Sequence, residues 1–182
     1  NRVSYPYTFA GRPRPRSPRR GDPRATMPQP PVITAVIIVD HGSRREASNE
    51  MLLEAAKAFR ASSGYAIVEP AHMEIAQPDI AAAYDRCVSQ GATRVVVFPY
   101  FLSPGKHWKH DIPALVAAAA DRHPHTEWLV TAPFGLHPQM QQVIADRIQA
   151  CLAVATGAAA AGCDACGDGR DCRLTSPEKT AG

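Results

Sequence analysis

Short apolar runs alternate with amphipathic stretches from residue 32 to residue 152. Residues 32–39 (VITAVIIV) are almost all apolar and mostly β-branched, which is typical of a strand buried on both faces of a parallel sheet. Apolar residues then recur at helical spacing from 47 to 59 and stop before Gly64, which predicts an amphipathic helix. The same alternation predicts strands over residues 65–71, 94–98 and 127–132 and helices over residues 80–88, 112–119 and 140–152.

The predicted order of elements, βαβαβαβα, favours one fold class. Helices of this length between consecutive strands indicate right-handed crossovers, and hence parallel strands. We therefore predict an α/β fold, flavodoxin-like in general shape, with a four-stranded parallel sheet and helices on both faces. This folded domain is predicted to span residues 32–155.

Charge is distributed unevenly along the 182 residues. Residues 1–31 contain seven arginines, eight prolines and a single acid, Asp22. Proline blocks regular structure and neighbouring cations repel, so this segment is predicted to be a disordered leader with the composition of an organelle transit peptide. An inert tail and a basic nucleic-acid-binding arm are the alternatives.

The rest of the chain excludes two classes of protein. The whole chain carries a net charge of +3, but residues 32–182 hold more acids than bases, since seven of the 20 Lys+Arg lie in the leader. A basic nucleic-acid-binding domain is therefore excluded for the folded part. No apolar run approaches the roughly 18–20 residues needed to cross a bilayer, so no membrane span is expected.

Most of the histidines follow predicted strands. In parallel sheets the functional groups lie in the loops after the carboxyl ends of the strands. Imidazole and carboxylate hold first-row divalent ions, and imidazole also exchanges a proton near neutral pH. The pattern therefore predicts a metal or acid/base site at this edge. The side chains concerned are His41 after the first strand, His72 and Glu74 after the second, His107 and His110 after the third, and His137 after the fourth.

Two of these loops also carry cations. Arg44 and Arg45 follow His41, and Lys106 and Lys109 flank His107. Such cations could bind an anion-rich ligand, although a solvated surface is the alternative. Neither loop has the glycine spacing of a nucleotide-binding motif, so no nucleotide is expected.

Three cysteines lie close together near the C-terminus. Cys163, Cys166 and Cys172 follow the spacing C-x2-C-x5-C, which indicates metal or iron–sulfur ligation. Three thiols leave a four-coordinate site one ligand short. Cys151, Cys87 or a partner subunit could supply the fourth ligand.

Three segments of the chain resemble the signature segments of the small class II chelatases that insert metal into sirohydrochlorin. They are DHGSRREASN, HMEIAQPDI and FLSPGKHWKHDIPAL, and the resemblance covers roughly residues 33–152. It implies a short chelatase domain that works as a homodimer and encloses a tetrapyrrole in a cleft. His41 would bind the metal and accept protons, and His107 would be the second metal ligand. The residues that would contact the substrate are Glu74, Arg44, Leu102, Ser103, Pro104, Gly105 and Lys106.

The two ends of the chain extend the resemblance. Plant-type sirohydrochlorin ferrochelatases end in a tail like residues 156–182 and bind an iron–sulfur cluster, which implies a cluster here, 2Fe-2S in preference to 4Fe-4S. Leader and tail together imply an enzyme of the plastid stroma. It would insert Fe2+ into sirohydrochlorin without ATP, releasing two protons, in the last step of siroheme synthesis. A cobalt chelatase of cobalamin synthesis, an iron–sulfur carrier or sensor, and a metal-storage module are the alternatives.

Overall fold

Strands and helices alternate strictly in the computed structural model, which describes residues 31–160, 165–166 and 174. The predicted leader lies outside the described residues except for Pro31, and so do Cys163 and Cys172 of the predicted tail. A π-helical segment, His107–Asp111, leads directly into the third α-helix. The elements are β1 Thr34–Asp40, α1 Glu46–Ser62, β2 Ile67–His72, α2 Ile80–Ser89, β3 Arg94–Pro99, α3 Ile112–Ala120, β4 Glu127–Val130 and α4 Pro138–Ala155.

The four strands form one parallel sheet in the order β2-β1-β3-β4. This arrangement confirms the predicted α/β class and the parallel sheet. The chain runs outward from β1 to β2 and then crosses back to β3 on the other side of β1, so the direction of winding changes between β1 and β3. In sheets of this kind a crevice opens at that point, outside the carboxyl ends of the strands.

β1 is the centre of the core because its side chains point alternately to the two faces of the sheet. Ala35, Ile37 and Val39 belong to the cluster formed with α2 and α3, and all three are fully buried. Val36 and Ile38 point the other way and pack in a smaller cluster with α1. Burial on both faces explains why β1 reads as an unbroken apolar run.

The two faces of the sheet are covered unequally. α2 and α3 cover one face, whereas α1 covers only part of the other. Beside α1 lies a cavity of about 390 Å³ with apolar and aromatic lining that includes Val96, Phe98 and Phe134. α4 buries none of its residues. Its apolar side chains Val143, Ile144, Ile148 and Leu152 are between 48% and 58% exposed.

All eight predicted elements are present, and their boundaries differ from the predictions by one to three residues. β4, for example, ends at Val130 instead of residue 132, and β2 includes His72. The π-helical segment before α3 was not predicted. α2 begins as its sequence indicates, because the Asp79 carboxylate accepts a hydrogen bond from the Ala82 N–H at 2.8 Å. In the described part of the chain, no helix is both long enough and apolar enough to cross a membrane.

Candidate active site

The loops after β1 and β2 are joined by their backbones. The Met73 N–H donates to the Asp40 carbonyl at 2.8 Å, and the Glu74 N–H donates to the His41 carbonyl at 3.1 Å. Gly42 has a φ of +83°, and a Cβ on it would overlap the Glu74 carbonyl oxygen. Only glycine allows the two loops to lie this close. The approach places His41 Nε2 2.7 Å from Glu74 Oε1.

A second set of hydrogen bonds fixes the turn from this loop into α1. The Ser43 N–H donates to Asn49 Oδ1 at 2.9 Å, and the Asn49 side-chain N–H donates back to the Ser43 carbonyl at 2.9 Å. Asn49 was not among the predicted site residues. The turn leaves Arg44 and Arg45 exposed at the start of α1, on the side of His41.

The π-helical segment positions the second histidine. His107 Nδ1 lies 2.8 Å from Asp111 Oδ2, four residues further on. The Ile112 N–H donates to the His107 carbonyl, the i to i+5 bond that defines a π-turn. The Trp108 indole N–H donates to the Thr131 carbonyl at 2.7 Å and so ties the segment to the end of β4. With Nδ1 engaged by Asp111, the nitrogen of His107 that remains available to a ligand is Nε2.

The two histidine-bearing loops converge. The rings of His41 and His107 meet edge to face, with centroids 5.3 Å apart and an angle of 76° between their planes. Their side chains remain 41% and 46% exposed. A cavity of about 370 Å³ opens beside them, lined by Met73, Glu74, His107, Asp111, Ala114 and Leu115. The arrangement is an accessible pair of imidazoles, each with a carboxylate partner.

The other residues predicted to contact a substrate lie on exposed loops and are not part of the lining of this cavity. Leu102 is 69% exposed. Ser103, Pro104, Gly105 and Lys106 are also exposed and run directly into the π-helical segment. Ile75, next to Glu74, was not predicted, and it is 58% exposed with a φ of +71°. Such a φ is unfavourable for a β-branched residue, so this short loop is held under strain at the edge of the cavity.

The remaining histidines of this edge have different surroundings. His72 is the last residue of β2, is fully buried, and lies 2.6 Å from Asp40. His137 is the N-cap of α4, where Nδ1 accepts the Gln139 N–H at 3.3 Å. His110 is exposed on the π-helical segment. Across residues 31–160, 165–166 and 174, no group of three or more His, Cys, Asp or Glu side chains is arranged to hold a metal ion.

None of the described cysteines lines the cavity beside the paired histidines. Cys87 is fully buried in the core on α2, and burial raises the pKa of its thiol to about 12. A thiolate ligand is therefore unfavourable at Cys87. Cys151 is exposed near the end of α4, and Cys166 is half-buried.

Another histidine–carboxylate cluster lies at the opposite edge of the sheet. His123 Nε2 is 2.6 Å from Asp85 Oδ1, and Arg122 Nη2 reaches the same oxygen at 2.8 Å. The hydrogen bond from His123, followed by that from Arg122, lowers the pKa of the Asp85 carboxyl. Tyr84 stacks on the His123 ring with centroids 5.7 Å apart. In this cluster Asp85 is already paired with both His123 and Arg122.

Comparison with known proteins agrees with the fold and with the resemblance to the chelatases. A chloroplastic sirohydrochlorin ferrochelatase of Arabidopsis thaliana is 52% identical over 139 residues, which cover 76% of this chain and 61% of that protein. A sirohydrochlorin cobaltochelatase of Priestia megaterium is 32% identical over 117 residues, 63% of this chain and 37% of that protein.

Solved structures agree as well. SirB from Bacillus subtilis with Fe3+ superposes with a TM-score of 0.60 at 28% identity, covering 63% of this chain and 45% of that one. The chain thus spans less than two thirds of the length of each of these three relatives. The CbiX family model matches residues 35–151, which is more than half of the chain and includes both paired histidines. The chain therefore belongs to the CbiX family.

Proposed function

We propose that this protein inserts ferrous iron into sirohydrochlorin to form siroheme, without a nucleotide. The observation that carries the proposal is the pair of imidazoles, His41 and His107, whose ring centroids lie 5.3 Å apart beside an open cavity. They come from two loops that meet where the winding of the sheet changes direction, the usual place for a ligand crevice. Similarity to the Arabidopsis ferrochelatase supports both the metal and the tetrapyrrole.

Two imidazoles suit a metal that has to be passed on. Ferrous iron accepts imidazole nitrogen, and two protein ligands leave positions open for the nitrogens of an incoming macrocycle. His107 would bind through Nε2, because Asp111 holds its Nδ1. His41 would bind through Nε2 after that nitrogen exchanges Glu74 for the metal. The two imidazoles would then release the ion to the nitrogens of the macrocycle.

The His41–Glu74 pair also offers a route for the two protons that metal insertion displaces. Insertion breaks two pyrrole N–H bonds and forms iron–nitrogen bonds, so two protons must leave the macrocycle. When the metal leaves His41, its Nε2 can accept a proton released by the macrocycle. It can then pass this proton to Glu74, whose Oε1 lies 2.7 Å away. The Glu74 side chain is 54% exposed and releases protons to water. A base beside the metal ligand is therefore part of the site.

The exposed loops match the chemistry of the substrate. Sirohydrochlorin is a flat macrocycle with acetate and propionate groups at its edge. Arg44 and Lys106 would bind these carboxylates. Leu102 and Ile75 offer exposed apolar side chains for the macrocycle, and the short residues Ser103, Pro104 and Gly105 let it approach the loop.

An anaerobic assay tests the proposal. Sirohydrochlorin is mixed with Fe2+ and the protein, and the change of its absorption spectrum to that of siroheme is followed over the rate without protein. The proposal predicts acceleration in proportion to protein concentration, with no requirement for ATP. Absence of acceleration with Fe2+ would overturn it. Acceleration with Co2+ at a higher kcat/KM would instead support the cobalt enzyme, which the Priestia relative makes the second candidate.

We also propose that the protein is a homodimer. Exposed apolar side chains on α4 and the apolar cavity beside α1 support this, since such surfaces are unusual on a monomer. Light scattering during gel filtration is expected to give twice the chain mass. Ile148→Glu should shift the protein toward the monomer, whereas Gln149→Glu on the same helix should not. A monomeric mass for the unmodified chain would exclude the dimer.

The thiols of the tail support a further proposal, an iron–sulfur cluster bound by Cys163, Cys166, Cys172 and Cys151. Thiolates are the usual ligands of such clusters. Cys151 is preferred over Cys87 because it is exposed, whereas Cys87 is buried with a raised pKa. Anaerobically purified protein should absorb visible light and contain acid-labile sulfide, both lost in Cys151→Ser and retained in Cys87→Ser. Colourless protein without sulfide would exclude the cluster.

Finally, we propose that the protein works in the plastid stroma. The Arg/Pro-rich composition of residues 1–31 and the chloroplastic Arabidopsis relative support this location. The full chain fused at its C-terminus to a fluorescent protein should accumulate in plastids of plant cells. Exclusion of the fusion from plastids would contradict the proposal.

A further inference from the structure

Asp40 and His72 form a pair at the strand ends next to the paired histidines, with His72 fully buried and Asp40 half-buried. They are the last residues of β1 and β2 and lie opposite each other in the register of the two strands. Asp40 Oδ1 and His72 Nδ1 are 2.6 Å apart. His72 is fully buried, and within the described part of the chain it is the only buried polar or charged residue.

One of the two ring nitrogens of His72 is unfavourable for stability. His72 Nε2 is buried and has no hydrogen-bond partner. An unpaired buried polar atom lowers stability, and an apolar ring of similar size would fill the same space without that loss. The only hydrogen bond that a histidine ring makes at this position is therefore the one from Nδ1 to Asp40.

Asp40 connects this buried nitrogen to the paired histidines. Its Oδ1 also accepts the Gly42 N–H at 2.9 Å. At Gly42 the two loops lie so close that a Cβ would overlap the Glu74 carbonyl oxygen. From there the backbone bond between Glu74 and His41, at 3.1 Å, sets His41 beside the Glu74 carboxylate.

We propose that His72 and Asp40 are positioning residues: through Gly42 they hold His41 and Glu74 in the geometry that binds and releases the metal. The inference rests on the proposed function, because metal transfer is the step that needs this geometry. A merely structural pair would change stability and leave the metal affinity of the folded protein unchanged.

The test uses two substitutions of His72 in the full chain. His72→Phe fills the space but removes the donor to Asp40. His72→Asn keeps a side-chain N–H close to the position of Nδ1. We expect His72→Phe to melt near the wild-type temperature, since it removes the unpaired Nε2 together with the hydrogen bond to Asp40. It should nevertheless bind Co2+ about 10-fold more weakly in a titration, the lower end of the loss caused by removing a direct partner of a metal ligand, because His72 acts on His41 only through Asp40 and Gly42.

The kinetic signature is equally specific. For His72→Phe, kcat for iron insertion should fall by a similar factor of about 10, with the KM for sirohydrochlorin nearly unchanged. His72→Asn should recover most of both losses. Tyr84→Phe is the matched control, because it removes a part-buried hydrogen bond at the opposite edge of the sheet. That bond joins the Tyr84 hydroxyl to the Thr126 hydroxyl at 2.7 Å. Tyr84→Phe should lower the melting temperature and leave Co2+ binding and kcat unchanged.

The outcomes separate this inference from the proposed function. If the wild type binds Co2+ but inserts no metal, the proposed function fails, while the metal titration still decides the role of His72. Wild-type Co2+ affinity in folded His72→Phe overturns the inference, as does equal weakening in His72→Asn. If His72→Phe does not fold, Asp40→Ala and Asp40→Asn replace the pair. Asp40→Asn keeps an acceptor oxygen, so it should bind Co2+ more tightly than Asp40→Ala, and equal affinities would overturn the inference.

Discussion

Histidine–carboxylate pairs occur at both edges of the sheet, yet their surroundings differ. At the carboxyl edge, His41 and His107 come from separate loops, and each keeps more than 40% of its side chain exposed beside a cavity. At the opposite edge, Asp85 is shared by His123 and Arg122, and Tyr84 covers the ring. A histidine–carboxylate pair alone therefore does not identify a site. The proposed site differs from the other edge in the convergence of two accessible imidazole rings.

The largest effect is expected from removing either converging ring. His41→Ala and His107→Ala should lower metal insertion by more than about 100-fold, the upper end of the loss seen when only an outer partner of a metal ligand is removed. The melting temperature should change little, because both side chains are half-exposed. His125→Ala, an exposed histidine at the opposite edge, is the control and should retain activity. Near-normal turnover by His41→Ala or His107→Ala would show that the substituted histidine is not part of the site.

The next largest effect tests the close approach of the two loops. Gly42→Ala places a Cβ against the Glu74 carbonyl at a φ of +83°. The backbone strain alone should lower the free energy of unfolding by about 1–3 kcal/mol. Displacement of the loops should also weaken Co2+ binding. Gly64→Ala is the matched control, because a Cβ there meets no atom within 4 Å. Urea unfolding and metal titration measure the two effects, and equal behaviour of the two alanine variants would contradict the prediction.

A smaller effect is expected from the carboxylate that orients His107. Asp111→Ala removes the acceptor 2.8 Å from Nδ1 and should weaken metal binding by about 10-fold or more. Asp111→Asn keeps an oxygen for the same hydrogen bond and should lose less. Asp121→Ala, at the other end of α3, serves as the control in the same titration. If Asp111→Ala binds metal like the wild type, orientation by Asp111 plays no part.

The smallest effect is expected at the opposite edge and concerns stability alone. Because the pKa of Asp85 is lowered in the folded state, its ionised form stabilises the fold above its ordinary pKa near about 4. That stabilisation is lost as the pH falls through the lowered value. Asp85→Asn should therefore be less stable than the wild type at pH 7, with a difference that shrinks in acid. The difference should be small, since the side chain is 51% exposed.

Urea unfolding between neutral and acidic pH measures this difference, and metal insertion serves as the second readout. Asp85→Asn should insert metal at the wild-type rate. A loss of insertion without a loss of stability would show that the opposite edge takes part in the reaction after all, and the contrast between the two edges would fail.

Much of the fold could be predicted from sequence because a strand buried on both faces has to be almost wholly apolar, as β1 is. The same pattern placed His41 and His107 at one edge, since each follows a strand end. The π-helical segment could not be predicted, because the apolar spacing of α3 begins only at Ile112 and carries no information about the turn before it. The pairing of Asp40 with His72 was equally hidden, since the pattern placed His72 after the second strand and the structure places it within β2.

The expectation for α4 was incomplete for another reason. Its apolar stripe predicted a helix, and the helix is present. A stripe indicates that a face has to be buried but does not identify the surface that buries it. Asp111 was missed as the partner of His107 because no helix was predicted over residues 107–111, and a spacing of four residues brings two side chains together only on a helix.

The orientation of His107 relative to α3 depends on the one extra residue in the π-turn. A π-turn holds one residue more than an α-turn, so everything before it is rotated about the axis relative to a continuous α-helix. Ile112 and Val116 hold α3 in the core and cannot follow such a rotation. Deleting Lys109 would therefore let the segment close into an ordinary α-helix and swing His107 by about 100° around the axis. The same side chains would remain, but the two imidazoles would point apart, so the spacing between His107 and Ile112 should tolerate substitutions far better than insertions or deletions.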